Sequence, residues 1–205
     1  MRTYDAARTM ANIVEVATEV FGEKGLDGGR IDEIAAATHT SKRMIYYYFG
    51  SKEGLYLAVL EEAYRRMRAT ESDLHLENLA PEAALRTLVA FTFDHHQRNQ
   101  NYIRLVMSEN MQRGQYISRS ESIQTLNVPA IASIRELYER GVAQGIFRGG
   151  LNPLDIHASI SALSFFNVSN QHTFGAIFKH DTQRPENLAA RRESIVDMVV
   201  RYVRA

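Results

Sequence analysis

The 205-residue sequence contains no cysteine, no tryptophan and only four prolines, and its 24 Lys and Arg residues balance 24 Asp and Glu residues. Without cysteine there can be no disulfide bond, no thiolate nucleophile and no Cys-ligated zinc or iron–sulfur site. No apolar run approaches the roughly 18 residues of a membrane-spanning helix, and the first residues lack the pattern of a secretory signal. We therefore expect a cytoplasmic protein with no membrane partner. Because the net charge is zero, any nucleic-acid surface has to be local.

The spacing of the apolar residues predicts an all-α protein. Apolar positions recur at steps of three and four residues along almost the whole chain, whereas alternating runs bounded by turns are scarce. Gly25 is expected to end the first helix in a left-handed conformation, and Pro129 is expected to separate two helices. The predicted helices are Asp5–Glu23, Ile31–Ala37, Ser41–Phe49, Lys52–Glu71, Pro81–Arg98, Ser118–Leu126, Pro129–Gln144, Asn152–Asn170 and Pro185–Val203.

Positive charge is concentrated in a short segment near the N-terminus. Between His39 and Lys52 there are three cations and no acidic residue, although acidic residues slightly outnumber basic ones over residues 1–50. Two short helices joined by three or four residues, the second rich in exposed donors, are typical of a helix-turn-helix, whose second helix lies in the DNA major groove. Lys52 begins the next helix, where the backbone N–H groups and the helix dipole favour a phosphate.

The segment FGEKGLDGGRIDEIAAATHTSKRMIYYYFGSKEGL resembles the N-terminal DNA-binding domain of the TetR family of transcriptional regulators. The resemblance covers roughly residues 8–60 and rests on a spaced set of positions: Phe21, Gly25, Ile34, Ala35, Ser41, Tyr46, Phe49, Ser51, Lys52 and Leu55. It implies a homodimer that binds a palindromic operator in double-stranded DNA. It also implies release from that operator when a small molecule enters a larger C-terminal domain.

The resemblance assigns DNA-binding roles to Lys42, Arg43, Met44, Tyr46, Tyr47, Tyr48 and Lys52. It implies that the first three face the bases and that Tyr46 and Lys52 contact phosphates. The other two tyrosines stand where family members contact backbone or bases variably. Taken without the resemblance, a run of three tyrosines and a phenylalanine would more often be core packing, and we assign Ile45 and Phe49 to the core.

The sequence departs from the pattern of the family at His39 and at Gly29 and Arg30. His39 stands where the turn commonly has glycine, a position that can require a left-handed backbone. Gly29 and Arg30 replace the hydroxyl residues that commonly cap the second helix, so that Arg30 is expected to reach a phosphate instead.

The C-terminal three quarters of the chain carry no motif that dictates a chemistry. Polar groups and methionines on apolar helices are the pointers to a ligand cavity, since such sites are mostly apolar with a few convergent donors and acceptors. Each residue also has a structural explanation, as core filling, a solvated helix end or a helix cap. The candidate ligand-binding residues are Tyr64, Met67, His95, Met107, Phe166, Asn167, Asn170 and Gln171.

The sequence lacks the known signatures of metal and catalytic sites. None of the seven histidines belongs to an H-E-x-x-H arrangement, and neither a glycine-rich phosphate loop nor a G-x-S-x-G motif is present. We therefore expect no catalytic residues, no metal ion and no cofactor.

Together these observations predict a helix-turn-helix domain over residues 1–51, followed by a larger helical effector-binding and dimerisation domain over residues 52–205. The last two long helices are the expected dimer surface, with small residues Ala158, Ser161, Ala162 and Ser164 on one and Val196, Val199 and Val203 on the other; packing within the chain is the alternative. The predicted function is a repressor released by a small apolar or aromatic effector. The alternative is a helical ligand-binding or protein-interaction module that has lost operator binding.

Overall fold

The computed structural model describes the backbone of residues 2–205 and the side chains from residue 6 onward. Within that range the chain forms ten α-helices and two 3-10 turns and no β-strand, which confirms the all-α prediction. An isolated bridge joins Phe147 to Arg204. The helices are α1 (Arg2–Gly28), α2 (Ile31–Ala37), α3 (Lys42–Phe49), α4 (Lys52–Ser72), α5 (Pro81–Arg98), α6 (Gln100–Met111), α7 (Glu121–Ala143), α8 (Pro153–Ser169), α9 (Gln171–Phe178) and α10 (Pro185–Val203).

The helix boundaries follow the capping signals in the sequence. Proline occupies the first turn of α5, α8 and α10, where its missing N–H group would have no helical partner. The side chain of Asn152 accepts a hydrogen bond from the Leu154 N–H group at 3.0 Å and so caps α8. The starts of these three helices therefore follow from residues close to them in the sequence and do not depend on tertiary contacts.

One predicted helix end is confirmed and one was wrong. Helix α1 is interrupted at Gly25, whose positive φ of 67° is the expected left-handed stop, and a short helical segment continues beyond it to Gly28. Pro129 lies inside the continuous helix α7 and does not separate two helices. Proline removes one backbone hydrogen bond, but its fixed φ is compatible with a helix, and the buried residues Ile123 and Ala130 anchor the turns on either side.

Contacts divide the chain into two compact units. The first unit comprises the residues up to Arg66 together with Asn101–Gln124, and the second comprises Met67–Gln100 and Thr125–Ala205. This division follows packing, whereas the predicted boundary after residue 51 refers to roles and stays a prediction.

Each unit has its own apolar core. The core of the first unit contains fully buried residues from the first four helices, with Leu105 and Ile123 added from the later segment. The core of the second unit is built by α5, α7, α8 and α10 around residues such as Leu85, Phe93 and Ile195. The first core is what holds α2 and α3 in place.

Candidate nucleic-acid interface and ligand site

Helices α2 and α3 form a helix-turn-helix whose turn is closed by backbone and side-chain hydrogen bonds. The Thr40 N–H group donates to the Ala35 carbonyl at 3.0 Å, and the Thr38 hydroxyl donates to the Ile34 carbonyl at 2.7 Å. His39 has a φ of 51°, in the left-handed region that histidine tolerates better than most residues. The turn therefore keeps the left-handed backbone expected at this position, although the residue is histidine and not glycine.

Helix α3, the recognition helix, is capped at both ends. The side chain of Ser41 accepts a hydrogen bond from the Met44 N–H group at 3.2 Å, and Gly50 ends the helix with a φ of 74°. The Ser51 hydroxyl then accepts a hydrogen bond from the Gly54 N–H group at 3.0 Å and starts α4. These caps fix the orientation of the eight residues between them.

The side chains of α3 divide between the core and solvent. Ile45 is fully buried, and Tyr48 and Phe49 are half-buried against the core of the first unit. Tyr46 and Tyr47 point outward, with 44% and 77% of their surface exposed. Two of the three tyrosines thus present their hydroxyl groups for contact with a nucleic acid, while Tyr48 also has a packing role.

Of the four cations predicted to contact DNA, three are exposed and Lys52 is partly buried, and all except Arg43 engage acidic or carbonyl oxygens of the protein. Lys42 forms an ion pair with Asp32, and Arg30 lies 3.7 Å from the other oxygen of the same carboxylate. The ammonium group of Lys52 donates to the Asp27 carbonyl at 3.2 Å. Within the described part of the chain, Arg43 has no ion-pair partner. Arg30 is the N-terminal flanking residue of α2 and makes no side-chain cap there.

The predicted ligand-binding residues fall into both units. Tyr64 and Met107 belong to the first unit, where the ring of Tyr64 packs edge-on against Tyr102 with 5.4 Å between the ring centroids. The others belong to the second unit, where Met67, His95 and Asn167 are buried.

Three of the predicted ligand residues make contacts of other kinds. Phe166 is 42% exposed and packs edge-on against the ring of Phe174. Asn170 flanks α8 and α9, and its amide donates to the Ser169 hydroxyl at 2.8 Å. The Gln171 amide donates to the Gln100 side chain at 3.0 Å. Their ligand-binding role stays a prediction.

A cluster of three histidines, His95, His96 and His157, lies in the second unit. Burial and the nearby Arg68 guanidinium lower the pKa of His95 to about 4 and also lower the pKa of His157. Burial and the neighbouring His95 lower the pKa of His96 to about 4, although a hydrogen bond to the Ser164 backbone opposes this shift. The three imidazoles are therefore neutral at neutral pH and offer donors and acceptors without charge.

Arg68 links this cluster to a cleft. Its guanidinium donates to the Asn127 side chain at 2.8 Å and to Glu71 at 2.5 Å, and both members of the ion pair are nearly buried. Burial raises the pKa of Glu71 despite the opposing effect of the arginine. The cleft has a volume of about 210 Å³ and is lined by Arg68, Glu71, Ser72, Leu76, Glu77, Leu126, Pro129, Ala130 and Ser133.

Sequence reasoning missed Arg68, Asn127 and His157. In the sequence, Arg68 belongs to the charged run YRRMRATE, which looks like a solvated helix face, and no spacing rule separates it from its two neighbours Arg65 and Arg66. Those two arginines are exposed and pair with Glu62 on the same helix. Only the packing of α4 against other helices of the second unit distinguishes Arg68.

The expected dimer surface needs correction. Val196, Val199 and Val203 are buried in the core of the second unit, and Ser164 is fully buried, so for these residues the alternative of packing within the chain is correct. The exposed face of α8 instead carries residues at steps of four, and α10 adds an apolar pair at the same step. This stripe consists of Leu154, Ala158, Ala162, Phe166, Met198 and Tyr202.

Among the described residues, no group of three or more His, Asp or Glu side chains is arranged to hold a metal ion. No described helix combines the length and the apolar character needed to cross a membrane.

Comparisons with known proteins agree with this geometry. A family model described as bacterial regulatory proteins of the tetR family matches residues 13–59, and one described as a tetracyclin repressor-like C-terminal domain matches residues 81–199. The HTH-type transcriptional repressor NicS of Pseudomonas putida is 35% identical over 204 residues, which cover 100% of this chain and 96% of that protein.

Solved structures share the fold. A bacterial regulatory protein of the tetR family from Rhodococcus RHA1 superposes with a TM-score of 0.75 at 20% identity, covering 96% of this chain and 97% of the other. The transcriptional regulator FadR from Bacillus subtilis, in complex with stearoyl-CoA, superposes with a TM-score of 0.69 at 17% identity, covering 93% and 97% of the two chains.

Proposed function

Because this chain belongs to the TetR family of bacterial transcriptional regulators, we propose that it represses transcription as a homodimer bound to a palindromic operator, and that a small molecule releases it. Membership confirms the sequence-based predictions of a DNA-binding regulator and of a protein without enzymatic activity. The palindrome, the dimer, the effector and the contacting residues are our proposal.

The capped recognition helix carries the proposal. Its N-terminal residues Lys42 and Arg43 are exposed at the end that enters the major groove in helix-turn-helix proteins, and Tyr46 follows one turn later. Lys52, at the start of α4, supplies a cation beside backbone N–H groups that favour a phosphate. The left-handed backbone at His39 supports operator binding over the alternative of a module that has lost it.

A single helix-turn-helix makes few contacts, so the proposed complex needs two copies. In a palindrome, two recognition helices are separated by about 34 Å, one turn of DNA. The exposed stripe on α8 and α10 supplies a self-complementary surface, because Ala158 and Ala162 allow close approach while Leu154 and Tyr202 supply apolar area. Charge at the centre of such a surface would be costly to bury.

The effector is proposed to bind in the second unit, beside Met67, His95 and Asn167. These side chains are buried in the same unit, the neutral imidazole and the amide can donate and accept hydrogen bonds, and the thioether of Met67 supplies an apolar group. A small apolar or aromatic molecule with one or two hydrogen-bonding groups would suit this environment. The structure of FadR contains stearoyl-CoA, which is a property of that protein and does not identify this effector.

Helix α4 is the proposed connection between effector and DNA. It begins with Lys52 and ends beyond Arg68 and Glu71, and its 21 residues span about 30 Å. A rigid element of this length can transmit a displacement at one end to the other. An effector that binds better to one position of α4 therefore changes the population of the DNA-binding state.

The direct test is a fluorescence anisotropy titration with a labelled duplex from the region upstream of the gene that encodes this chain. We expect salt-sensitive binding that is tighter than binding to a random duplex. Lys52→Ala should weaken binding by roughly tenfold and reduce the salt slope by about one. Lys179→Ala, which removes an exposed lysine in the second unit, is the matched control and should leave both values unchanged. Equal affinity of the wild type for the two duplexes would refute operator recognition.

The dimer is tested separately by sedimentation. Ala162→Glu places a charge in the stripe and should give a monomer with weakened operator binding. Ala189→Glu, at an exposed position of α10 beside Glu193, should remain a dimer. A dimeric Ala162→Glu variant would exclude this surface.

A further inference from the structure

Asp32 interacts with two of the cations that are proposed to face DNA. It lies in the first turn of α2, where one carboxylate oxygen forms an ion pair with Lys42 and the other lies 3.7 Å from Arg30. The side chains of Asp32 and Lys42 are about half exposed, so that both can be reached by a second charged molecule. The ammonium group of Lys42, at the start of the recognition helix, is therefore already paired with the carboxylate of Asp32.

This arrangement opposes the binding of DNA. A phosphate that approaches Lys42 has to replace a carboxylate already in place, so that the contact exchanges one anion for another. The carboxylate also adds negative charge to a surface that is about to meet a polyanion. Both effects lower the affinity of the protein for any DNA sequence.

We infer that Asp32 competes with DNA for Lys42 and so sets the affinity of the recognition helix below the value its cations alone would give. The inference rests on the proposed function, in which Lys42 contacts DNA. Asp32 lies in α2, outside the recognition helix, and is not among the residues that the sequence predicted to contact DNA. Weak binding to bulk DNA suits a regulator that has to be released by a small molecule.

The neighbouring residue provides a matched control. Glu33 also lies in the first turn of α2, has a similar exposure, and forms an ion pair at 2.6 Å, but its partner is Lys24 of α1. Asp32→Asn and Glu33→Gln each remove one negative charge from the first turn of α2, so that both lose the same favourable interaction with the dipole of that helix. They differ in which lysine loses its partner.

The experiment measures the affinity of the full-length protein for a labelled random-sequence duplex at low salt. An exposed ion pair changes an equilibrium constant by a factor of up to about five. The DNA affinity of Asp32→Asn should therefore be about threefold to fivefold higher than that of Glu33→Gln. On a Lys42→Met background the two substitutions should have the same effect. Circular dichroism at increasing temperature verifies that each variant is folded.

Three results would overturn the inference. Equal effects of the two substitutions would mean that Asp32 acts through net charge alone. Weaker binding by Asp32→Asn would mean that the carboxylate positions the recognition helix, and an excess effect that persists on the Lys42→Met background would assign the competition to Arg30. Failure of the proposed function is seen separately, as equal affinity of the wild type for the upstream and random duplexes.

Discussion

Acidification should destabilise this protein through the buried imidazole of His96. His96 lies in α5 with 4% of its surface exposed, and burial together with the neighbouring His95 lowers its pKa from 6.5 to about 4. The unfolded chain binds a proton near pH 6.5, whereas the folded chain does so only near pH 4. The folded state is therefore favoured above the higher value, and its stability falls as the pH decreases through the interval between the two.

The size of the effect follows from the shift. One pKa unit corresponds to about 1.4 kcal/mol, so the full interval is worth about 3 kcal/mol for His96. Between about pH 7 and about pH 5 the free energy of unfolding should fall by about 2 kcal/mol from this residue alone. His95 has its pKa lowered to about the same value and adds to the total in the wild type.

Urea unfolding at both pH values and at a fixed protein concentration measures this difference. His96→Gln keeps a neutral hydrogen-bonding group facing the Ser164 backbone but cannot be protonated, so its loss of stability on acidification should be smaller than that of the wild type by about 2 kcal/mol. His172→Gln, at an exposed position of α9, should keep the wild-type dependence. If His96→Gln and the wild type lose the same stability on acidification, the reasoning from burial is refuted.

Two further substitutions test the local structure. Ser41→Ala removes the cap of the recognition helix and should lower the free energy of unfolding, measured with urea, by about 1 kcal/mol. The same variant should bind its operator less tightly. Unchanged stability would show that the cap is dispensable. Gly141→Ala adds a Cβ that would overlap the ring of Phe147 and should cost about 1–3 kcal/mol, seen as a lower melting temperature. Gly149→Ala, where an added Cβ would meet no atom within 4 Å, is its control, and equal melting temperatures for the two variants would contradict the packing argument.

The zero net charge has a structural counterpart at the recognition helix. Lys42, Arg30 and Lys52 each interact with an oxygen of the protein itself, two of them with the carboxylate of Asp32. Charge balance in this chain is therefore local as well as global.

The sequence by itself determined the all-α class, most of the helices and the turn between α2 and α3, but it did not reveal α6 or α9 and it divided α7 at Pro129. The starts of α2, α5 and α10 were predicted to the residue, because capping and turn formation depend on residues within one helical turn of each other. The DNA-binding roles of residues in and beside α3 came from the resemblance to the TetR family and stay predictions, and the exposure of Tyr46 and Tyr47 is compatible with them.

Tertiary structure alone decided which polar groups are buried and which apolar groups are exposed. Arg68 and Arg66 are indistinguishable in the sequence, yet one is nearly buried beside three histidines and the other is exposed beside Glu62. The valines of α10 were assigned to a dimer surface and instead fill the core, because an amphipathic pattern identifies an apolar face without identifying its partner. The pairing of Asp32 with Lys42 likewise depends on the angle between α2 and α3, which cannot be read from the spacing of residues in the sequence.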